Sequence, residues 1–211
     1  MARLFRSRVP PPLTSDQKSH LAKYSHLSTD DIEEWYQRFT NCYPRGYLSY
    51  KEFITYCQQI NAHHNVDHRA IKSKVKQLFK ILDMNEDKKL NFEEFFLFNI
   101  IINDDSLEDK FKLLVSLYGR NNTKYVTRQD IEKFLLNAYD LLLIPKPMHG
   151  LSQQIDTILK HSNVKMQSDK IAWHIFSDNV LNYPALFSLL IPHNPDESKF
   201  SDDFNYISTR L

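Results

Sequence analysis

Residues 83–94 read Asp-Met-Asn-Glu-Asp-Lys-Lys-Leu-Asn-Phe-Glu-Glu, and their oxygens recur at the spacing of a calcium loop. Calcium is a hard cation that takes about six to eight oxygen ligands, supplied in such a loop from alternate positions and a final acid. Asp83, Asn85 and Asp87 stand at positions 1, 3 and 5. Lys89 lends its backbone carbonyl at position 7, Asn91 stands at 9 and acts through a water, and Glu94 brings a bidentate carboxylate at 12. Leu90, at position 8, is the apolar residue that pairs with a neighbouring loop. Position 6 departs from the pattern, with Lys88 where the sharp turn asks for glycine. A side chain forced into the left-handed region costs about 1–2 kcal/mol, close to a factor of ten in affinity. One calcium ion is expected here, bound more weakly than by a loop with glycine at that place.

Such a loop needs a helix on each side, and the surrounding chain is written in helices. Apolar residues recur three and four apart at Ile32, Trp35, Tyr36 and Phe39, and again at Tyr50, Phe53, Ile54 and Cys57. A third stripe runs through Ile71, Val75, Leu78, Phe79 and Leu82, and a fourth helix, apolar nearly all round, follows the loop through Ile102. Four more follow, around Phe111, Phe134, Ile158 and Phe176, and Pro184 opens a short last one. Ser28 with Asp31, and Ser106 with Asp109, are spaced as helix starts. Polar stretches of about a dozen residues follow every second helix, the EF-hand arrangement.

The fold expected is therefore all-α, four EF-hand helix–loop–helix units in two pairs, with three loops degenerate. In the first loop Asn41, Tyr43 and Arg45 fall at positions 1, 3 and 5, so a cation stands where a carboxylate belongs, and only Glu52 at 12 is acidic. The third places Gly119, Asn121 and Thr123 there, with Asp130 at 12. The fourth has Val164, Met166, Ser168 and, at 12, Ile175. Such loops persist because one hand cannot cover its own apolar face. Leu48 is expected to meet Leu90, and Val126 to meet Ile171. The expected organisation is a basic, proline-rich tail over 1–14, a first pair over 15–103, a degenerate second pair over 104–192, and a tail over 193–211. In that last tail Phe200, Phe204, Ile207 and Leu211 carry helical spacing, against the alternative of a loose acidic end.

Composition narrows the function. Twenty-seven Lys plus Arg against 26 Asp plus Glu leave no field to attract nucleic acid. Three scattered glycines build no phosphate-binding loop. No catalytic constellation emerges, so the chain is not expected to be an enzyme. His64 and His68 are spaced four apart, but spacing implies no third zinc ligand. No apolar run suits a membrane span, so stable membrane insertion is not expected. Cys42 and Cys57 suit a reduced cytoplasmic setting. Residues 1–8 are basic and acid-free, as mitochondrial presequences are, but Pro10, Pro11 and Pro12 break a helix, and a loose basic tail is the simpler reading. Ala2 stands where an N-myristoyl anchor needs glycine.

The stretch Ser28-Thr-Asp-Asp-Ile-Glu-Glu-Trp-Tyr-Gln-Arg-Phe39, followed by Asn41-Cys-Tyr-Pro-Arg-Gly-Tyr-Leu48, resembles the neuronal calcium sensor family, including recoverin-like, potassium-channel-interacting and ciliary calaxin-like proteins. Cys42, Pro44 and Gly46 echo that family's Cys-Pro-x-Gly first loop, with Tyr43 inserted. Phe176 and the segment from Tyr183 to Leu190 resemble its last EF helix and the helix after it. The resemblance, over about residues 15–192, implies a calcium sensor whose apolar groove takes an amphipathic helix of a target protein. Trp35, Phe39, Phe53, Phe79, Phe95 and Phe96 are the candidates to line the groove, and the same stripes also serve as core. The alternative is a calcium-independent structural subunit of a larger assembly, ciliary or axonemal, with a vestigial metal loop. The expected location is the cytoplasm, or the cilium.

Overall fold

The computed structural model describes residues 10–60, 68–103, 106–121, 125–142, 150–161 and 170–191. Its first half runs α1 (Ser15–Ser25), α2 (Thr29–Cys42), β1 (Tyr47–Ser49), α3 (Tyr50–Ile60), α4 (His68–Leu82), β2 (Lys89–Asn91) and α5 (Phe92–Asn103). The second runs α6 (Leu107–Asn121), β3 (Tyr125–Thr127), α7 (Arg128–Leu141), α8 (Leu151–His161), β4 (Lys170–Ala172), α9 (Trp173–Asn182) and α10 (Pro184–Leu190). The fold is all-α, and among the described residues the strands form two antiparallel pairs, each strand three residues long.

Those pairs join loops back to back. β1 pairs β2 with Leu48 facing Leu90, and β3 pairs β4 with Val126 facing Ile171. These are the contacts expected of the position-8 residues, and all four side chains are buried. An apolar residue on a short strand has one way to leave water, which is against its counterpart on the sister loop.

Helix starts follow local chemistry. The Ser28 hydroxyl accepts from the Asp31 amide while the Asp31 carboxylate accepts from the Ser28 amide, and Ser106 caps α6 through the Asp109 amide. Thr14 and Gln17 form the same reciprocal box at the start of α1. That helix was not among the expected ones, although its box and the buried Leu21 and Tyr24 were legible in the residues. Residues 10–14, in the proline-rich tail, are held: the Tyr36 hydroxyl donates to the Pro11 carbonyl, and the Pro10 ring lies over Gly46.

The described chain divides into two compact units, Met1–Ile100 and Ile101–Leu211. The first has an aromatic core: Phe39 lies 5.4 Å from Phe92 and 5.3 Å from Phe95, and Phe53 lies 5.0 Å from Phe98. The second gathers Tyr118, Phe134 and Trp173, with centroids 4.5–4.9 Å apart. There Phe187 of α10 meets Phe111 edge to face, and the Tyr139 hydroxyl donates to the Leu190 carbonyl. The fourth loop over 162–169, the connector over 143–149, His63, His64 and the tail repeat at 200–211 lie outside the described residues.

Candidate metal centre

α4 ends where the Asp83 amide makes its last helical bond to the Phe79 carbonyl, and the chain then turns on the carboxylate of Asp83. One oxygen of that carboxylate accepts from the Asp87 amide at 3.0 Å, the other from the Lys88 amide at 2.9 Å. Asn85 Oδ1 also accepts from the Asp87 amide, and Asp87 Oδ1 accepts from the Lys89 amide. The turn takes Glu86 to φ +58° and Lys88 to φ +64°, so two side chains, not one, stand in the left-handed region. Asn85, Asp87 and Lys88 are exposed, Asp83 is buried, and Glu94 is fully buried.

Glu94 closes the loop from the first turn of α5. Its carboxylate accepts from the Met84 amide at 3.0 Å and the Asn91 amide at 2.9 Å, while Asn91 Oδ1 accepts from the Glu94 amide. Burial pushes the Glu94 carboxyl up to about 8, against the pull of those two amides, and the charges of Asp83 and Asp87 add to the rise. Asp83 is likewise raised, first by burial and then by Asp87 and Glu86, against the pull of the Lys88 and Asp87 amides. Among the described residues, the groups acting on these two acids are carboxylates and backbone amides. Two raised acids beside a third, with the side-chain oxygens of Asn85 and Asn91 in the same loop, suit a hard divalent cation. Among the described residues no three His, Cys, Asp or Glu side chains already converge to hold an ion. The acids are instead shared out among loop amides.

Asp83, Asn85, Asp87, Lys89, Asn91 and Glu94 thus lie along one loop that runs from the end of α4 through β2 into the first turn of α5. The groove candidates sit elsewhere in the same unit, as core. Phe39, Phe53, Phe79, Phe95 and Phe96 are buried and Trp35 is half-buried, with its ring edge to face on Phe96 at 6.0 Å. Tyr56 links the two halves of the cluster, meeting Phe95 at 4.9 Å and Phe98 at 6.3 Å. Its hydroxyl donates to the side chain of Asn99, a buried amide that sequence reading passed over.

The degenerate loops use their acids differently. The Glu52 carboxylate accepts from the Arg45 guanidinium, from the Ser49 amide and from the Ser49 hydroxyl. Asp130 forms a capping box with Thr127 at the start of α7. In the third loop the Trp173 indole lies directly on Gly119 and donates to the Val115 carbonyl at 3.1 Å, so the place of a position-1 side chain is filled by a ring. Nothing in the spacing of the residues announced that contact.

A loop of oxygen donors entered from one helix, left by another and zipped to a sister loop at position 8 settles the architecture. The fold is that of paired EF-hands. No family model matches it. The chain is 26% identical over 130 residues to calcium-binding protein NCSA of Dictyostelium discoideum, covering 62% of this chain and 66% of that protein. It is 24% identical over 114 residues to the guanylyl cyclase inhibitory protein of Lithobates pipiens, covering 54% of this chain and 53% of the frog protein. With a 45 kDa calcium-binding protein of Gallus gallus it shares 26% identity over 178 residues, 75% of this chain and 48% of that one. It therefore spans about half to two thirds of these relatives, two of which are named as calcium-binding proteins and one as a guanylyl cyclase inhibitory protein. No described helix is long and apolar enough to cross a membrane.

Proposed function

We propose that this chain is a calcium-responsive adaptor, with one ion held by residues 83–94 and a partner protein's amphipathic helix received by the aromatic core of the first unit. The observation that carries the reading is the fully buried Glu94 carboxylate, placed with Asp83 and Asp87 and raised by burial. Calcium supplies two positive charges that offset those acids. Asp83, Asn85, Asp87, the Lys89 carbonyl and Glu94 would hold it, and Asn91 would contribute through water. Glu94 is followed directly by Phe95 and Phe96, so a shift of that carboxylate is carried into the rings packed on Phe39 and Trp35. Relatives named for calcium binding support the ion, and one named for inhibiting guanylyl cyclase supports a protein target. A target helix would be read through apolar anchors three and four residues apart.

The second reading is a structural subunit that does not respond to calcium. It is favoured by loops held without an ion, Arg45 on Glu52 in the first and Trp173 on Gly119 in the third. Calorimetric titration decides between them. The full chain is expected to bind one calcium, and Glu94→Gln to bind none in the same range. A Glu94→Gln curve matching that of the unaltered chain would remove residues 83–94 from consideration.

A further inference from the structure

We infer that Arg45 is a built-in cation for the first loop, and that by keeping this loop ordered it sets the affinity of the second. Its Nη2 lies 2.7 Å from one Glu52 oxygen and 2.6 Å from the other. Glu52 is the position-12 acid of its loop, the counterpart of Glu94, so the guanidinium takes both oxygens of the group whose place in the template is to grip an ion. The same carboxylate accepts from the Ser49 amide at 2.8 Å and the Ser49 hydroxyl at 2.6 Å, which ties it to the end of β1. Arg45 also lies over the Tyr47 ring at 4.8 Å, and the Lys89 ammonium lies over that ring at 4.5 Å. Ser49 faces Lys89 and Leu48 faces Leu90 in the strand pair, so the ordered end of the first loop abuts the residues that would supply the second loop's carbonyl and its apolar pin.

An isolated ion pair this open, with the Arg45 side chain 54% and the Glu52 side chain 36% exposed, holds little by itself. Here the acid is fixed by three donors, and the hydrogen bonds to Ser49 and the charge of Arg45 hold its pKa below the ordinary value although burial works the other way. A loop already ordered asks less conformational entropy of its sister when that one closes on an ion. Arg45 is thus a positioning residue, and the calcium part of this inference rests on the reading of residues 83–94 given above. Removing a positive charge also acts in the opposite sense, by drawing cations in. At about 0.15 M salt, where the screening length is about 8 Å, that long-range term is weakened, and the ordering term is expected to prevail.

The test compares the full chain with Arg45→Gln and Arg45→Lys at that salt, with circular dichroism to confirm the fold. In chelator, backbone amides of β1 and β2 are expected to exchange about three- to tenfold faster in Arg45→Gln and close to the unaltered rate in Arg45→Lys. Calorimetry is expected to show calcium binding weakened by about three- to tenfold in Arg45→Gln and preserved within about twofold in Arg45→Lys. Unchanged exchange in Arg45→Gln overturns the lock. Faster exchange with equal or tighter calcium binding overturns the coupling. If the unaltered chain takes up no calcium, the metal reading fails together with the affinity half of this inference, and exchange still decides the lock.

Discussion

Glu94 is a carboxylic acid with no exposed surface, two other carboxylates acting on it, and a pKa raised to about 8 from an ordinary 4.5. Between those values the folded chain binds more protons than the unfolded one, so stability without calcium falls as pH rises through that window. Above about pH 8 the penalty is complete. Urea unfolding in chelator is expected to give lower stability at pH 7.5 than at pH 5.5, with the decline flattened in Glu94→Gln, whose amide does not titrate. If the two proteins keep parallel profiles, burial of this acid is not what makes the calcium-free chain pH-sensitive. Lys88 belongs to the same scale. Its left-handed φ agrees with the strain read from the missing glycine, and Glu86 shares that conformation, so the turn departs from ordinary backbone at two residues.

Elements in this protein are positioned by contacts that range from fully local to entirely non-local. The boxes at Thr14, Ser28 and Thr127 involve residues three apart and are visible in the chain. The seat of Trp173 on Gly119 is not. A Cβ built on Gly119 would stand 2.1 Å from the indole Cδ1 and 2.5 Å from Nε1. Gly119 lies in α6 and has no left-handed φ, so an alanine should favour the helix by about 1 kcal/mol on propensity alone. Overpacking a close ring contact costs about 1–3 kcal/mol, and the ring is anchored by its bond to Val115, so the net effect is expected to be destabilising. Thermal unfolding of Gly119→Ala, followed by Trp173 fluorescence, is expected to show a lowered midpoint. A raised midpoint would mean that the indole moves aside freely and does not fill the third loop.

At the scale of the whole molecule, the two units have different relations to the proposed ion. The oxygen loop and Trp35 lie in Met1–Ile100, while Trp173 lies in Ile101–Leu211 on a loop pair without a complete ligand set. With two tryptophans in the chain, single replacements isolate each unit optically. In Trp173→Phe, calcium is expected to change the emission of Trp35, whose ring packs on Phe96 two residues beyond Glu94. In Trp35→Phe, the remaining Trp173 signal is expected to stay constant. A calcium response from Trp173 alone would place the ion-sensitive element in the second unit.

The helices from α2 onward and the pairing of the loops at position 8 could be read from the residues alone. Each depends on a periodicity or a fixed spacing within about a dozen residues, and backbone geometry turns such spacing directly into a face or a turn. What stood far apart in the chain was decided by packing. Phe39 and Phe95 could equally have lined a groove or filled a core, and in this structure they fill the core while Trp35 stays half-buried, because burying rings against rings removes more apolar surface from water than leaving them along an open channel. Likewise, the clamp of Pro10 over Gly46 and the indole on Gly119 appear only when distant segments meet. Close contact between residues far apart in sequence is set by the shape of the assembled unit, and no local pattern encodes it.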